Sequence, residues 1–409
     1  NTVIVSRDMR VHSESIATAL IEGLRTAGLD VLDIGLATTP MNYFAVGHLS
    51  AVGGVQVTAS HNPARYNGLK FSRSDAQPVS GDEGIPRLER LVESGELTTA
   101  DTPGTLSTGS ILEAYGRHVL SFLVDSGVRR LKVVVDAANG MGVVYGPLLE
   151  QMNIDFDPLY FELDGSFPNH EANPLKLENL ADLSARVRET GADLGISFDG
   201  DADRAAFVDE RGESISSDLT TALIAGELLR HDPGKHVLYD LRSSRATSEY
   251  IAESGGIPVR ERVGHSFMKA TLREKQGLFG GELAGHYYFR DTHHADCALL
   301  AVVEILNLLR RQGGTLSEAV EPLRRYAKSP EINFEVEDKR AKLQELAERY
   351  ADGAIDYLDG ITVSFKDWWF NVRPSNTEPY LRLVLEATNP EELETRRADL
   401  EAILGKPAD

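Results

Sequence analysis

The chain has 409 residues, more than one hydrophobic core supports, so two to four domains are expected. Sixty-three acidic against 42 basic residues leave a formal charge of −21, which repels nucleic acid and anionic membranes; an anionic substrate must be caught by locally clustered Arg, Lys and backbone N–H groups. A single cysteine, Cys297, excludes an intrachain disulfide, no run reaches the ~18 apolar residues of a membrane span, and no charged-then-apolar leader opens the chain, so a reducing, cytoplasmic setting is expected.

The opening pattern is strand, helix, strand over 2–5, 14–27 and 31–34, a unit of a mainly parallel sheet. Arg7 and Arg10 fall on the polar turn after the first strand and read as surface charge. A strand over 53–57 runs into Thr58-Ala59-Ser60-His61-Asn62-Pro63, where Asn-Pro marks a turn. A serine on such a loop, with His61 beside it and Lys70 downstream in Tyr66-Asn67-Gly68-Leu69-Lys70, has the makings of a nucleophile with nearby proton acceptors. An ordinary Ser/Asn turn is the alternative.

Residues 74–110 are rich in Ser, Asp, Gly, Thr and Pro, with one helical stretch over 84–93, and a domain boundary is expected near their end. A helix over 111–124 precedes Leu131-Lys132-Val133-Val134-Val135-Asp136, a strand buried on both faces, and the turn Ala138-Asn139-Gly140-Met141-Gly142. Those glycines lack the GxGxxG spacing of a dinucleotide site and fit tight helix entry equally well. A strand over 156–161, the loop Asp164-Gly165-Ser166-Phe167-Pro168-Asn169-His170 and a helix over 178–190 lead to an apolar run ending at Phe198.

Directly after it comes Asp199-Gly200-Asp201-Ala202-Asp203-Arg204. Carboxylates at alternate positions converge on one side and supply the oxygen ligands that a hard divalent cation prefers, while Arg204 can clamp a phosphate oxygen. Calcium-loop spacing is the rival, with Glu210 at the twelfth position, but Arg204 stands where that loop needs Gly, and strands rather than helices flank the motif.

A third unit has helices and strands over 219–229, 235–239 and 259–263, the basic turn Leu241-Arg242-Ser243-Ser244-Arg245, and Gly264-His265. Its Gly281-Glu282-Leu283-Ala284-Gly285-His286 lets backbone approach a ligand, with Glu282 and His286 offering hydrogen bonds; a polar pair at a glycine-relieved strand end is the alternative. The last segment is small α+β, and its Arg373-Pro374-Ser375-Asn376-Thr377-Glu378-Pro379 loop suits phosphate better than a simple hairpin turn.

TASHNP, DGDADR, GELAGH and RPSNTEP in this order resemble the α-D-phosphohexomutase superfamily, in its phosphomannomutase/phosphoglucomutase branch, over nearly the whole chain. The resemblance implies three similar mixed α/β domains with mainly parallel sheets and a smaller C-terminal α+β domain around a central cleft. The expected divisions are 1–105 for the phosphoserine loop, 106–212 for the metal, 213–328 for the sugar loop and 329–409 for the distal phosphate.

On the same resemblance Ser60 carries the phosphoryl group, and Asp199, Asp201 and Asp203 with a Ser60 oxygen hold one Mg²⁺. Arg204 contacts phosphate, and His61 and Lys70 move protons. Arg242, His265, Glu282 and His286 line the cleft, while Arg373, Ser375, Asn376 and Thr377 hold the phosphate that is not reacting. The reaction implied is exchange between hexose 1- and 6-phosphates, with a hexose 1,6-bisphosphate as activator, in a monomer or homodimer. A phosphatase and a non-catalytic metal or sugar-phosphate binder stay open as alternatives. The family opens with a further strand and an arginine-bearing loop not found before Asn1, so a shortened N terminus is expected. Ala284 replaces a frequent serine, and Asn376 is more like phosphomannomutases than phosphoglucosamine mutases, pointing to mannose phosphate first and glucose phosphate second.

Overall fold

The computed structural model describes residues 1–79, 84–124, 129–375 and 379–408, and they form four sheets in chain order. In the first sheet the strands lie in the order Leu69–Arg73, Gly53–Val57, Thr2–Arg7, Asp30–Leu36 and Leu106–Thr108, parallel except for the edge strand Leu69–Arg73. Parallel neighbours need crossover connections, which helices Ser13–Thr26 and Thr39–His48 provide. Side chains alternate along Thr2–Arg7. Val3 and Val5 pack with Ala17 and Ile21 of the first helix, and Ile4 points the other way into a core shared with Met41 and Phe44 of the second.

The second sheet has the order Ser214–Ile215, Ala205–Asp209, Leu194–Phe198, Leu131–Asp136 and Ile154–Leu159. The third has the order Ile257–Glu261, His236–Asp240, Phe279–Gly281, Tyr287–Phe289 and Ala295–Asp296. Each joins three parallel strands to two antiparallel ones. The fourth sheet is antiparallel throughout, built on Trp368–Pro374 and Tyr380–Ala387 and covered by helices Lys339–Arg349 and Pro390–Leu404. Three mixed α/β sheets and a smaller α+β unit are thus the architecture expected from the sequence.

Helix Ala298–Gln312 explains why the first three units hold together. It buries every residue from Ala298 to Arg310, and a helix apolar on nearly all sides belongs in an interior. Its side chains join one hydrophobic cluster that runs through all three α/β units, whereas the fourth sheet keeps a cluster of its own. Cys297 is buried at the N-cap of this helix. The fourth unit meets the third through polar contacts: Arg245 donates to the carbonyls of Phe365, Lys366 and Trp368, and Arg260 pairs with Asp356. Among the described residues no helix is long and apolar enough to cross a membrane.

Candidate active site

Ser60 and the aspartate loop come from different sheets and meet because glycine allows it. A Cβ on Gly200 would lie 2.3 Å from the Ser60 carbonyl oxygen, and one on Gly140 would lie 2.9 Å from the Gly200 carbonyl. Gly140 therefore belongs to a three-layer backbone contact, closed by the Met141 N–H donating to Gly200 O at 2.9 Å, and not to a dinucleotide site. Ser60 itself has φ of 50°, a left-handed conformation that a side chain adopts at a cost and that its surroundings must enforce.

Arg10 is the enforcer, which corrects its assignment to surface charge. It is 3 % exposed. One nitrogen donates to Ser60 O at 2.8 Å and Asn62 O at 2.7 Å, and another to Pro63 O at 3.0 Å and Tyr66 O at 3.1 Å. Its Nε faces Asp8 at 3.1 Å, and the ring of Phe167 lies 5.1 Å from the guanidinium carbon. The Asp164–His170 loop can settle on this arginine only because Gly165 has no Cβ, which would come within 2.7 Å of Arg10 Cα. The one signal in the sequence is the acid two residues before it, on a turn beside a strand end.

The resulting cluster is compact. Ser60 Oγ donates to Asp199 Oδ2 at 2.9 Å and lies 3.3 Å from His61 Nδ1. Lys70 Nζ donates to Asp201 Oδ2 at 2.7 Å and Asp203 Oδ2 at 2.5 Å. Asp199, Asp201 and Asp203 are at most 1 % exposed, with ligand oxygens within 4.8 Å of one another. Burial, then the like charges of Asp203 and Asp201, push the Asp199 carboxyl well up. Burial, then the Arg204 guanidinium, push the His61 imidazole down to about 3, so it is neutral at ordinary pH. Burial works against the Lys70 ammonium, but Asp201 and Asp203 override it and hold its pKa well above the usual range.

The three carboxylates fit a divalent cation. Their donors are all oxygen, and Asp201 Oδ1 and Asp203 Oδ1 are buried without a hydrogen-bond partner among the described residues. Calcium-loop geometry does not: the motif sits between antiparallel strands Leu194–Phe198 and Ala205–Asp209, and Glu210 turns away to accept from the Ser317 N–H at 3.2 Å. Thr39, not anticipated from the sequence, stands behind the loop. Its N–H donates to Asp201 O at 3.1 Å and its Oγ1 to Asp201 Oδ2 at 2.5 Å. Partners of this kind orient a ligating carboxylate. Should the cage take a divalent cation, Thr39→Val is expected to weaken it by roughly 10–100-fold, read as the Mg²⁺ concentration needed to raise the thermal midpoint of chelator-treated protein.

The sugar-loop residues close the cluster from the third sheet. His286 Nε2 accepts from Arg204 Nε at 2.9 Å, which places the ring proton on Nδ1, 3.0 Å from Asp296 Oδ2. Asp296 is balanced by the fully buried Lys269, 2.7 Å away and 3.9 Å from the Tyr43 ring centroid. Lys269, Asp296 and His286 thus form a chain that positions Arg204, and nothing in the motifs reveals its first two members. His265 lies beside it, its ring centroid 6.4 Å from that of His286.

Glu282 is buried, accepting from the Gly264 N–H at 2.9 Å and from Tyr288 Oη. The next N–H, Leu283, donates to Asp240 Oδ2 at 2.7 Å, and Asp240 in turn grips Arg242. Arg242 and Arg373 both face Glu331, at 3.6 and 2.7 Å. Arg242, Ala284 and Glu331 line a cavity of about 420 Å³ floored by Leu175 and Leu283, a volume in the range of small-molecule sites. Ser375 is buried with its N–H on Tyr380 O at 2.9 Å, while Asn376 and Thr377 lie outside the described residues.

A serine in a left-handed conformation against a carboxylate cage, with a guanidinium pair further along, is an arrangement chemically suited to a divalent cation and a phosphate. Residues 1–98, 113–212 and 216–326 match phosphoglucomutase/phosphomannomutase alpha/beta/alpha domains I, II and III, and 331–403 match the C-terminal domain of the same family. The chain is 39% identical over 412 residues to the phosphohexose mutases of Xanthomonas campestris pv. campestris, covering 98% of this chain and 91% of that one. It is 35% identical to the phosphomannomutase of Escherichia coli K12, over 94% of this chain and 87% of that one. A crystal structure of a phosphoglucomutase/phosphomannomutase family protein from Burkholderia thailandensis superposes with a TM-score of 0.89 at 32% identity, over 100% of this chain and 90% of that one. The chain belongs to the phosphoglucomutase/phosphomannomutase family of the α-D-phosphohexomutase superfamily, and by class it is a hexose phosphate mutase.

Proposed function

We propose that the chain interconverts the 1- and 6-phosphates of a hexose, mannose first and glucose second, through phosphorylated Ser60 and a 1,6-bisphosphate intermediate. The observation that carries this reading is Ser60 Oγ 2.9 Å from Asp199 in the same cage as Lys70. In the forward transfer the P–Oγ bond of phospho-Ser60 breaks as a sugar hydroxyl oxygen bonds to phosphorus. Neutral His61 accepts the hydroxyl proton, and the Lys70 ammonium returns one to Oγ; the second transfer, from the turned bisphosphate back to Ser60, reverses these roles. Arg204, held by His286, faces the developing charge. Asp199, Asp201, Asp203 and a Ser60 oxygen would hold Mg²⁺, which supplies Lewis acidity and charge neutralisation for the phosphoryl group. Arg373, Ser375, Asn376 and Thr377 keep the other phosphate, and Arg242, His265, Glu282 and His286 border the sugar.

A hexose 1,6-bisphosphate serves as activator because it phosphorylates a resting Ser60. Mannose 1-phosphate with Mg²⁺ and a trace of hexose 1,6-bisphosphate is expected to yield mannose 6-phosphate, faster than glucose or glucosamine 1-phosphate is converted. Absence of isomerisation with all three sugars discards the reading, and release of free phosphate without any bisphosphate requirement replaces it with a phosphatase.

A further inference from the structure

One carboxylate occupies the place a phosphate needs. Glu331 Oε2 lies 2.7 Å from Arg373 Nη2 and 3.6 Å from Arg242 Nη1, and Oε1 lies 3.2 Å from Arg382 Nη1. Arg242 belongs to the third unit and Arg373 and Arg382 to the fourth, while Glu331 lies in the fourth unit between strands Ala327–Lys328 and Ile332–Glu335, both paired with Tyr380–Ala387. The Arg373 and Arg242 side chains are only 4 % and 9 % exposed, so a carboxylate between them is a strong partner rather than a screened surface ion. Burial alone would raise the Glu331 carboxyl, but Arg242 and Arg373 override it and hold its pKa down. Arg242 and Glu331 open, with Ala284 and Pro330, onto one cavity.

We infer that Glu331 is a resident stand-in for the substrate's non-reacting phosphate: it pairs with Arg373, and adds to Asp240 in balancing Arg242, until a sugar phosphate displaces it, and it competes for them again when the phosphate must leave. This rests on the mutase reading, in which Arg373 holds that phosphate. A phosphate of about −1.5 to −2 charge and a carboxylate cannot share one pair of guanidiniums without repulsion, so the two anions exclude each other. A planar carboxylate presents the same paired oxygens to a guanidinium fork that a phosphate does. The competition has a use. A bisphosphate that must present each end to Ser60 in turn has to let go of the arginines once per cycle, and an internal anion lowers the barrier to release while weakening binding. Glu331 is then a positioning residue that acts through the arginines, not one that touches the reacting atoms.

The test is binding and turnover by the whole chain as wild type, Glu331→Gln and Glu331→Asp, using calorimetry with mannose 6-phosphate and with inorganic phosphate at low and physiological salt. Glu331→Gln keeps the size and removes the charge. It is expected to bind both probes about tenfold more tightly, with KM and kcat falling together. Glu331→Asp keeps the charge but loses reach toward Arg373, and is expected to fall between the two. A residue that merely braced Arg373 would show the opposite sign, and equal or weaker binding by Glu331→Gln, with its thermal midpoint retained, overturns the inference. Should Glu331→Gln not fold, Glu331→Asp decides: tighter binding than wild type supports the inference, and equal or weaker binding overturns it. If wild type binds neither probe and isomerises no hexose phosphate, the mutase reading itself is what fails, and the inference with it.

Discussion

Ser60→Ala is expected to lower isomerisation by about 10³-fold or more, since on the proposed mechanism the serine oxygen is the atom that accepts and returns the phosphoryl group. His61 has its imidazole beside that oxygen, but it is neutral and faces Oγ rather than replacing it. Lys70 is tied to two carboxylates. Alanine also keeps the backbone substituent that Ser60 carries at its φ of 50°, so the loop strain is unchanged and the fold is expected to persist. Two measurements separate the chemistry from any structural change. Intact mass after incubation with hexose 1,6-bisphosphate should show one added phosphate on wild type and none on Ser60→Ala, while sugar-phosphate binding by the variant should remain. A Ser60→Ala protein that still turns over within about tenfold of wild type, or that still gains phosphate, removes the proposed nucleophile.

Arg10 gives the second large effect by a different route. It touches no reacting atom, yet four carbonyls of the serine loop accept from its two terminal nitrogens. In Arg10→Ala the buried Asp8 loses its cationic partner, and breaking a buried pair by removing one side costs about 3–5 kcal/mol. Arg10→Lys separates charge from geometry. An ammonium can still balance Asp8, but it is a single point with three donors and cannot span carbonyls that a guanidinium fork reaches from both ends. The Lys variant is therefore expected to recover much of the thermal stability and little of the activity. A shift of about 1 Å in the serine oxygen is enough for roughly a 10²-fold loss of turnover. Equal turnover by Arg10→Lys and wild type would show that the loop holds Ser60 without the clamp.

Local patterns are legible in the sequence because they depend on residues a few positions apart. The alternation Asp199, Asp201, Asp203 after an apolar strand defines the carboxylate cage, since backbone geometry alone brings such side chains together. The apolar runs over 2–5, 131–136 and 235–239, each near an amphipathic helical stretch, are equally local and indicate three α/β units. The four motif loops in order carry the family.

What the sequence by itself could not decide is which distant residues complete each loop. Asp201 is met by Lys70, 131 positions away, and by Thr39, 162 positions away. Arg204 is oriented by His286 across 82 positions, and behind that ring stand Asp296 and Lys269, which carry no motif. Arg10 has the sequence context of an ordinary surface arginine because its burial is produced by a loop of the second sheet, admitted by the missing side chain of Gly165. Glu331 takes on meaning only with guanidiniums from two units around it. Spacing along a chain specifies which side chains share a face of one element; packing of one sheet on another chooses the partners, because only there do burial and charge compensation act between residues that the chain keeps far apart.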